Sequence, residues 1–277
     1  MSLGVFMLCK NEQEWMAPYL LNILPFIDEV CLYDGNSTDG TLEIIKAIRD
    51  KNQFGSKIKL FENMDPKDLR DDYTRLFDEC LHSLSTDLAL FLHPDQWITN
   101  PDQLLKVRES SAIAMSSYMR SFAGEPGGEL LEIIGRGQTW QNIFRLRNPN
   151  LQAHYHGWYG AYNEAVYFKD ITGDDHAIHH SMSEYPYEVE DSGLEILHFS
   201  DVRNYGRRLS RMKTCLINQG WDKRFSPADL ERKAIEHPRV SLKGDDVFKF
   251  KPARYPGEFL AAQAQYAHLC KGEKQLA

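Results

Sequence analysis

Three apolar, strand-like runs of this sequence end in polar residues that could bind a ligand. The polar residues at these three ends are Asn11 and Glu12, Asp34, and His93 and Asp95. The carboxyl ends of neighbouring parallel strands meet at one edge of a sheet, where α/β proteins bind their ligands. Carboxylates at that edge can accept hydrogen bonds from a base or a ribose, and they can also hold a metal ion. The spacing therefore predicts one ligand site built from three strand ends.

The turn after Asp34 contains residues that favour the start of a helix. Ser37, Thr38 and Asp39 are all good N-cap residues, because their side-chain oxygens can accept hydrogen bonds from the free N–H groups of a first helical turn. An aspartate before such a turn stands where a nucleotide could reach it. A capped turn that binds no ligand is the alternative explanation for this turn taken alone.

The order of these motifs resembles the family 2 type of inverting glycosyltransferase, which has the Rossmann-like nucleotide-diphospho-sugar transferase (GT-A) fold. In that family an Asn-Glu pair follows the first strand, an Asp-rich turn follows the second, and an Asp-x-Asp element follows the fourth. The resemblance implies transfer of a sugar, with inversion, from a nucleoside diphosphate sugar, expected to be UDP-linked, to a hydroxyl of a glycan or related acceptor. The residues that it implies for the nucleotide are Asn11, Glu12, Asp34, Arg70 and Arg75.

Some of these residues also have a purely structural explanation. Glu12 could be a carboxylate at the start of a helix, where the helix dipole favours negative charge. Arg70 and Arg75 could instead pair at the surface with Asp71 or Asp72. The sequence leaves both explanations open for each residue.

The third strand end carries the predicted metal site. The resemblance implies that Asp95 binds a divalent cation bridging both phosphates of the donor, with His93 and His198 as candidate further ligands; His198 could instead contact the diphosphate. His93 replaces the first aspartate of the Asp-x-Asp element. Because an imidazole suits Mn²⁺ better than Mg²⁺, manganese is the expected metal; alternatively, His93 contacts the ribose or a phosphate. Arg207 and Arg208 could neutralise the leaving diphosphate.

The second half of the chain is similar to the lipopolysaccharide-core and capsule transferases of the same family, which implies a role in polysaccharide biosynthesis. Those proteins have a His-Glu pair, and here the pair reads Asn163-Glu164. An inverting displacement needs a carboxylate that takes the proton of the acceptor hydroxyl. The resemblance makes Glu164 the first candidate for this catalytic base, with Asp191 and then Asp174 as reserves.

Two other classes of function remain open at this stage. A nucleotide-sugar or carbohydrate-binding protein could keep this fold without turnover, as the substitution at His93 would allow. A metal hydrolase is the second alternative, because several histidines have spacings found among metal ligands. These histidines are His154, His156, His176, His179 and His180.

The elements that must position these residues alternate as in βαβ units, which predicts an α/β fold with a mixed central sheet and C-terminal helices. The predicted strands lie at 3–9, 28–34, 57–62, 86–92 and 111–118. The predicted helices lie at 12–23, 40–52, 68–84, 100–109, 202–219, 227–236 and 256–271. A turn-rich break at 124–128 suggests a nucleotide-sugar lobe over 1–122 and an acceptor lobe over 123–277 that share one sheet.

The composition of the chain limits the kinds of partner and the location that are expected for this protein. The chain has 277 residues and a formal net charge of -8, which argues against nucleic acid, since phosphate neutralisation needs a basic surface. No apolar run reaches the roughly 20 residues of a transmembrane helix, and no leader is evident. Five scattered cysteines are expected to be free thiols. The expected protein is cytoplasmic, either free or peripheral to the inner membrane, with a nucleotide-sugar donor and a glycan or lipid-linked glycan acceptor.

Overall fold

The structure is a computed structural model, and it describes most of the chain. The described residues are 1–64, 76, 79–112, 114–134, 138–145, 152–157, 164–169, 175–177, 189–218, 224–243 and 249–270. Several residues singled out by the sequence analysis lie outside this part of the chain. They are Arg70, Asp71, Asp72, Arg75, Asn163, Asp174, His179 and His180.

The first part of the chain forms alternating strands and helices. These elements are β1 (Leu3–Cys9), α1 (Gln13–Ile23), β2 (Glu29–Asp34), α2 (Thr41–Lys51), β3 (Ile58–Phe61) and β4 (Leu88–Phe91). β1 lies between β2 and β4 and is parallel to both, and β3 is parallel to β2. The predicted βαβ arrangement is therefore confirmed, and the carboxyl ends of β2, β1 and β4 lie side by side.

The rest of the chain extends this sheet and covers it. Its strands are β5 (Gln96–Ile98), β6 (Ala114–Gly124), β7 (Leu130–Ile134), β8 (Gln138–Arg145), β9 (Gln152–Gly157), β10 (Glu164–Lys169), β11 (Asp175–Ala177), β12 (Val189–Val202) and β13 (Lys249–Ala253). Its helices are α3 (Gln103–Val107), α4 (Tyr205–Asn218), α5 (Pro227–Glu236), α6 (Pro238–Ser241) and α7 (Gly257–Tyr266). Short 3-10 turns occupy Gly55–Lys57 and Ala267–Leu269.

The central sheet is mixed. Its strand order is β13-β7-β6-β8-β4-β1-β2-β3, and β12 runs parallel to β6 while also pairing with β5. β8 is antiparallel to both β4 and β6. β9, β10 and β11 form a separate antiparallel sheet. The predicted α/β class with a mixed central sheet and C-terminal helices is confirmed.

Several predicted boundaries differ from the observed ones. The helix predicted from residue 202 begins at Tyr205, because Val202 still pairs with Gly124 at the end of β12. The strand predicted at 111–118 instead runs to Gly124, because it pairs on its two sides with β7, β8 and β12. Most of the helix predicted at 68–84 falls outside the described residues. The boundary at residue 122 lies within β6, so the two-lobe division stays a prediction.

Burial explains why β1, β2 and β4 read as nearly continuous apolar runs. All six residues of β2 and all four of β4 are buried, as expected for strands covered on both faces. A second cluster, rich in aromatic residues, joins α1, β12 and α7: the Trp15 ring stacks on Phe199 at 5.3 Å and lies 5.7 Å from Phe259. This cluster fixes the end of β12 beside the start of α1. Over the part of the chain that the structure describes, no helix has both the length and the apolarity to cross a bilayer.

Candidate functional site

The turns that follow β1 and β2 hold each other in place. Asn11 has a left-handed backbone (φ 57°), a conformation that asparagine tolerates better than most residues, and its N–H donates to Ser37 Oγ at 2.9 Å. The N–H of Thr38 donates to Asn11 Oδ1 at 2.8 Å, and the N–H of Glu12 donates to Thr41 Oγ1 at 2.7 Å. The Asn11 side chain therefore joins the two turns into one polar unit, the paired turns (residues 10–13 and 35–41).

Asp34 ends β2 and is only 1% exposed. One carboxylate oxygen, Oδ2, accepts the N–H of Ser37 at 3.0 Å. The other, Oδ1, is buried and has no hydrogen-bond partner among the described residues. A buried carboxylate oxygen without a donor is costly, so this oxygen is suited to accept an N–H or O–H group from a ligand.

Asp95 lies in the turn after β4 and is 5% exposed. Its Oδ1 lies 3.5 Å from His198 Nε2, and its Oδ2 accepts Arg203 Nη2 at 3.1 Å. Its backbone carbonyl accepts the N–H of Phe199 at 2.8 Å, which ties this turn to β12. Burial alone would raise the pKa of Asp95, but its electrostatic interactions with His198, Arg203 and His93 and a hydrogen bond with His198 outweigh it and hold that pKa well below its usual range. The carboxyl is therefore an anion at neutral pH.

Arg203 follows the last residue of β12 and connects two strand ends. Its Nη1 and Nη2 donate to the two oxygens of Glu12, each at 3.3 Å, while Nη2 also donates to Asp95. Only 12% of its side chain is exposed. Burial would lower the pKa of this guanidinium, but Glu12 and Asp95 outweigh it and raise that pKa. A permanent cation thus stands between two carboxylates.

Arg203 was not among the site residues predicted from the sequence. A helix was predicted from residue 202, which placed Arg203 inside that helix and not at the end of a strand. Arg203 directly follows Val202, the last residue of β12, but the end of this strand is set by the pairing of Val202 with Gly124, which the sequence pattern does not show.

The three predicted metal ligands are neighbours in the structure. The His93 and His198 rings are nearly parallel, with centroids 6.2 Å apart. The backbone N–H of His93 donates to Gln96 Oε1 at 2.9 Å. Asp95 Oδ1 and His198 Nε2 are an oxygen and a nitrogen that lie 3.5 Å apart. Across the described ranges, no three histidine, cysteine or acidic side chains are grouped so as to hold a metal ion by themselves.

The two arginines predicted for the leaving group have different surroundings. Arg207 lies beside the first turn: its Nη1 donates to the carbonyl of Asn11 at 3.3 Å and lies 3.7 Å from Glu14 Oε2. Arg208 is buried, and its Nη1 donates to the carbonyl of Gly124 at 2.6 Å and contacts Glu125 Oε1 at 2.8 Å. Arg208 thus binds the β6–β7 hairpin, whereas Arg207 adds positive charge to the strand ends.

The predicted bases lie elsewhere in the chain. Glu164 begins β10, opposite Gly157 of β9 in the small sheet. Asp191 is exposed on β12, where its Oδ1 accepts the N–H of Gly193 at 2.9 Å. It precedes His198 by seven residues, roughly 20 Å along a strand, so the structure does not bring Asp191 to Asp95. The histidines of the hydrolase alternative that are described lie in the small sheet, namely His154, His156 and His176.

The chain is similar in structure to several proteins crystallised with nucleotide sugars. Staphylococcus aureus TarS 1–349 in complex with UDP-GlcNAc is 19% identical, with 44% of this chain and 35% of that chain covered and a TM-score of 0.35. The Pyrobaculum calidifontis mannosyltransferase PcManGT, in complex with GDP-Man and Mn²⁺, is 12% identical, with coverages of 96% and 75% and a TM-score of 0.45. Glucosyl-3-phosphoglycerate synthase from Mycobacterium tuberculosis, in complex with Mn²⁺ and UDP-Glc, is 17% identical, with coverages of 43% and 43% and a TM-score of 0.32.

The match to TarS thus spans about a third of the TarS chain. No protein-family model and no curated protein matches the sequence.

Proposed function

We propose that this protein is an inverting glycosyltransferase that uses a nucleoside diphosphate sugar, with UDP as the expected nucleotide and a hydroxyl of a glycan or lipid-linked glycan as the acceptor. One observation carries the proposal: two buried aspartates stand after β2 and β4, the strands on either side of β1, and Asp34 offers an oxygen that lacks a donor among the described residues. This edge of a parallel sheet is where α/β proteins bind nucleotides. The protein would work in the cytoplasm, free or at the inner membrane.

Each part of the donor has a matching group. Asp34 Oδ1 would accept an N–H of the base or an O–H of the ribose. Arg203 and Arg207 would donate to the phosphates, because guanidinium groups match phosphate geometry and stay charged. Asn11 and Glu12 act from the first turn: Asn11 joins the paired turns, and Glu12 orients Arg203.

A divalent metal fits beside Asp95. Asp95 Oδ1 and His198 Nε2 are 3.5 Å apart, close enough for one cation to contact both, and an oxygen–nitrogen pair favours Mn²⁺ over Mg²⁺. Sites with one or two protein ligands commonly complete the metal with substrate phosphates and water. When bound, such a metal would stabilise the negative charge that develops on the leaving diphosphate. His93, whose ring lies beside that of His198, is a further candidate ligand of this metal, or would contact the ribose or a phosphate of the donor.

The transfer step needs a base on the acceptor side. In a single displacement, the acceptor oxygen bonds to the anomeric carbon as the bond from that carbon to the diphosphate oxygen breaks, and a carboxylate takes the hydroxyl proton. Glu164 is the proposed base, with Asp191 as the reserve. The diphosphate leaves with the electron pair of the broken bond.

Nucleotide binding tests the proposal first. Thermal unfolding is measured with UDP, GDP, TDP and CDP, each with and without Mn²⁺, and UDP with Mn²⁺ is expected to stabilise most. A ligand at about 100 times its dissociation constant adds about 2.7 kcal/mol. Asp95→Asn should remove the metal-dependent part, while Asp102→Asn, at an exposed position before α3, should not. A melting temperature that none of the four nucleotides raises above that of the free protein would refute the proposal.

A binding protein without turnover is the second candidate, and one observation favours it: His93 stands where the resembling family has a carboxylate. Glu164→Gln separates the two functions, since it keeps the size of the side chain but cannot accept a proton. Loss of a general base typically lowers the rate by about 10²–10⁴. Transfer should therefore fall while donor affinity by calorimetry stays within about a few-fold. Wild-type protein that binds UDP-sugars but transfers to no glycan acceptor would establish the binding protein instead.

A further inference from the structure

The contacts that Arg203 makes to its two carboxylates are unequal. Glu12 receives two hydrogen bonds, one from each terminal nitrogen, at 3.3 Å each. Asp95 receives one, from Nη2 at 3.1 Å. The bond to Asp95 can therefore be lost while both bonds to Glu12 remain, because the two-point contact with Glu12 holds the guanidinium by itself.

The backbone of Arg203 is held independently of its side chain. Its N–H donates to the carbonyl of Gly124 at 3.1 Å, and its own carbonyl accepts Nη1 of Arg208. Gly124 is the hairpin residue with a φ of +145°, and an added Cβ there would lie 2.0 Å from the carbonyl oxygen of Glu129. The backbone of Arg203 is therefore fixed at the end of β12, and a change in its contact with Asp95 would involve side chains alone.

Arg203 and a metal ion would compete for the same anion. Asp95 Oδ2 is occupied by Arg203, and Oδ1 faces His198, where the proposed metal would bind. A guanidinium bound to one oxygen of a carboxylate and a divalent ion bound to the other stand only a few ångströms apart. In a site this poorly exposed to water, their repulsion is weakly screened.

We propose that Arg203 is the resident cation of Asp95, that a divalent metal must displace it from this carboxylate, and that the guanidinium stays on Glu12, so that the N–H group which Asp95 releases can donate to the phosphates of the donor. This inference rests on the proposed function for the identity of its ligands. It makes Arg203 a residue that couples metal binding to nucleotide binding. In the absence of metal, Arg203 keeps Asp95 neutralised.

Manganese binding without nucleotide tests the displacement directly. Free Mn²⁺ is followed by electron paramagnetic resonance during titration of the wild type, of Arg203→Gln and of Arg232→Gln. Removal of the competing charge in Arg203→Gln should tighten Mn²⁺ binding by about tenfold or more, since a neighbouring charge shifts ionic equilibria by that order. Arg232 is 59% exposed on α5 and pairs with Asp229, so its loss should leave the affinity unchanged. Adding Asp95→Asn to Arg203→Gln should abolish the gain.

A second variant keeps the test decisive if Arg203→Gln folds poorly. Arg203→Lys retains one positive charge but lacks the forked guanidinium, so it should bind Mn²⁺ with an affinity between those of the wild type and Arg203→Gln. Arg203→Gln that folds only when Mn²⁺ is added would also support displacement. Manganese affinity that is unchanged or weaker in both variants would overturn it.

The second part of the inference is tested with UDP. In the presence of saturating Mn²⁺, Arg203→Gln should bind UDP about tenfold or more weakly, because a charge-assisted bond to phosphate is lost. Tighter Mn²⁺ binding without any UDP binding in the wild type would refute the proposed function and leave the displacement intact. UDP binding by the wild type, together with a Mn²⁺ affinity that is unchanged in Arg203→Gln, would support the proposed function and refute the displacement.

Discussion

The paired turns and the end of β12 contribute to the same site but are held together in different ways. The turns are joined by hydrogen bonds between residues 26 to 29 positions apart, such as Asn11 with Ser37 and Glu12 with Thr41. Arg203 and Arg207 of the β12–α4 junction instead reach residues 108 to 196 positions away. Short polar side chains bonded to backbone build the first region, and charged pairs build the second.

This difference affects how each region responds to change. A hydrogen bond from a short side chain to backbone contributes about 1 kcal/mol, and its loss is felt locally. A buried ion pair contributes little in net terms, because both charges lose water, but removal of one partner leaves the other charge buried and alone. The junction should therefore be the more fragile of the two regions to single substitutions, although it is no more stabilising as a whole.

The largest effect on stability is expected at the ion pair beside the β12–α4 junction. There, Arg239 of α6 pairs with Asp201 near the end of β12, and both side chains are buried. Arg239→Ala should reduce the free energy of unfolding by about 3–5 kcal/mol, the cost of an unpaired buried charge. Urea unfolding at neutral pH measures it. The double substitution Arg239→Met with Asp201→Leu should recover much of the loss, because no buried charge then remains. A loss below about 1 kcal/mol in Arg239→Ala would show that the junction is no more fragile than the turns.

The next effect is on binding. Asp34→Asn keeps the acceptor for Ser37 but replaces the charged oxygen that faces the proposed nucleotide, so UDP affinity should fall by about 10- to 100-fold, as for a hydrogen bond to a charged group. Calorimetry with Mn²⁺ present measures it. Asp50→Asn, at an exposed position on α2, is the matched control. Unchanged UDP affinity would leave Asp34 as a residue of the turn alone.

A smaller loss is expected within the paired turns. Thr41 is fully buried, accepts the N–H of Glu12 and donates to Asp39 Oδ1 at 2.5 Å. Thr41→Val removes both bonds and should cost about 1–2 kcal/mol, a fall of a few degrees in melting temperature for a chain of this size. Thr41→Ser keeps both bonds and should lose less. A loss in Thr41→Val no larger than that in Thr41→Ser would show that the two hydrogen bonds contribute no more than the methyl group that serine lacks.

The smallest effect lies at the opposite end of β2 and serves as a reference for both regions. Burial would raise the pKa of Glu29, but Lys59 and Ser85 outweigh it and lower that pKa. The stability that Glu29 contributes is therefore present above about pH 4.3, the pKa of an unfolded glutamate, and is lost as pH falls through its lower pKa in the folded chain. Lys59 is nearly half exposed, so the contribution should be at most about 1 kcal/mol. The stability difference between wild type and Glu29→Gln should be larger at about pH 6 than at about pH 3, and a difference independent of pH would contradict it.

The sequence was informative where function depends on local pattern. Asp34 and Asp95 could be placed at strand ends because apolar runs and turn residues are local signals, and both lie where the pattern predicts. His198 was found beside Asp95 through the family resemblance rather than through spacing. The predicted roles of Glu164 and Asp191 stay predictions.

The junction was harder to predict because its contacts depend on which strands become neighbours. Whether β12 continued through Val202 could be known only from its pairing with Gly124 of β6. That pairing decides that Arg203 faces Asp95 and that Arg208 turns to the hairpin. Nothing in the residues from 198 to 208 distinguishes the three arginines by themselves.

The distance in sequence between Asp95 and Arg203 has a consequence in time. At about 5–20 residues per second, the ribosome adds Arg203 roughly 5–20 s after Asp95, since 108 residues separate them. During that interval the nascent chain already contains β1, β2 and β4 but not the cation that neutralises Glu12 and Asp95. The carboxylates of Glu12 and Asp95 therefore have no guanidinium from Arg203 to pair with until β12 is made, so the ion pairs of the site form only after most of the central sheet has been synthesised.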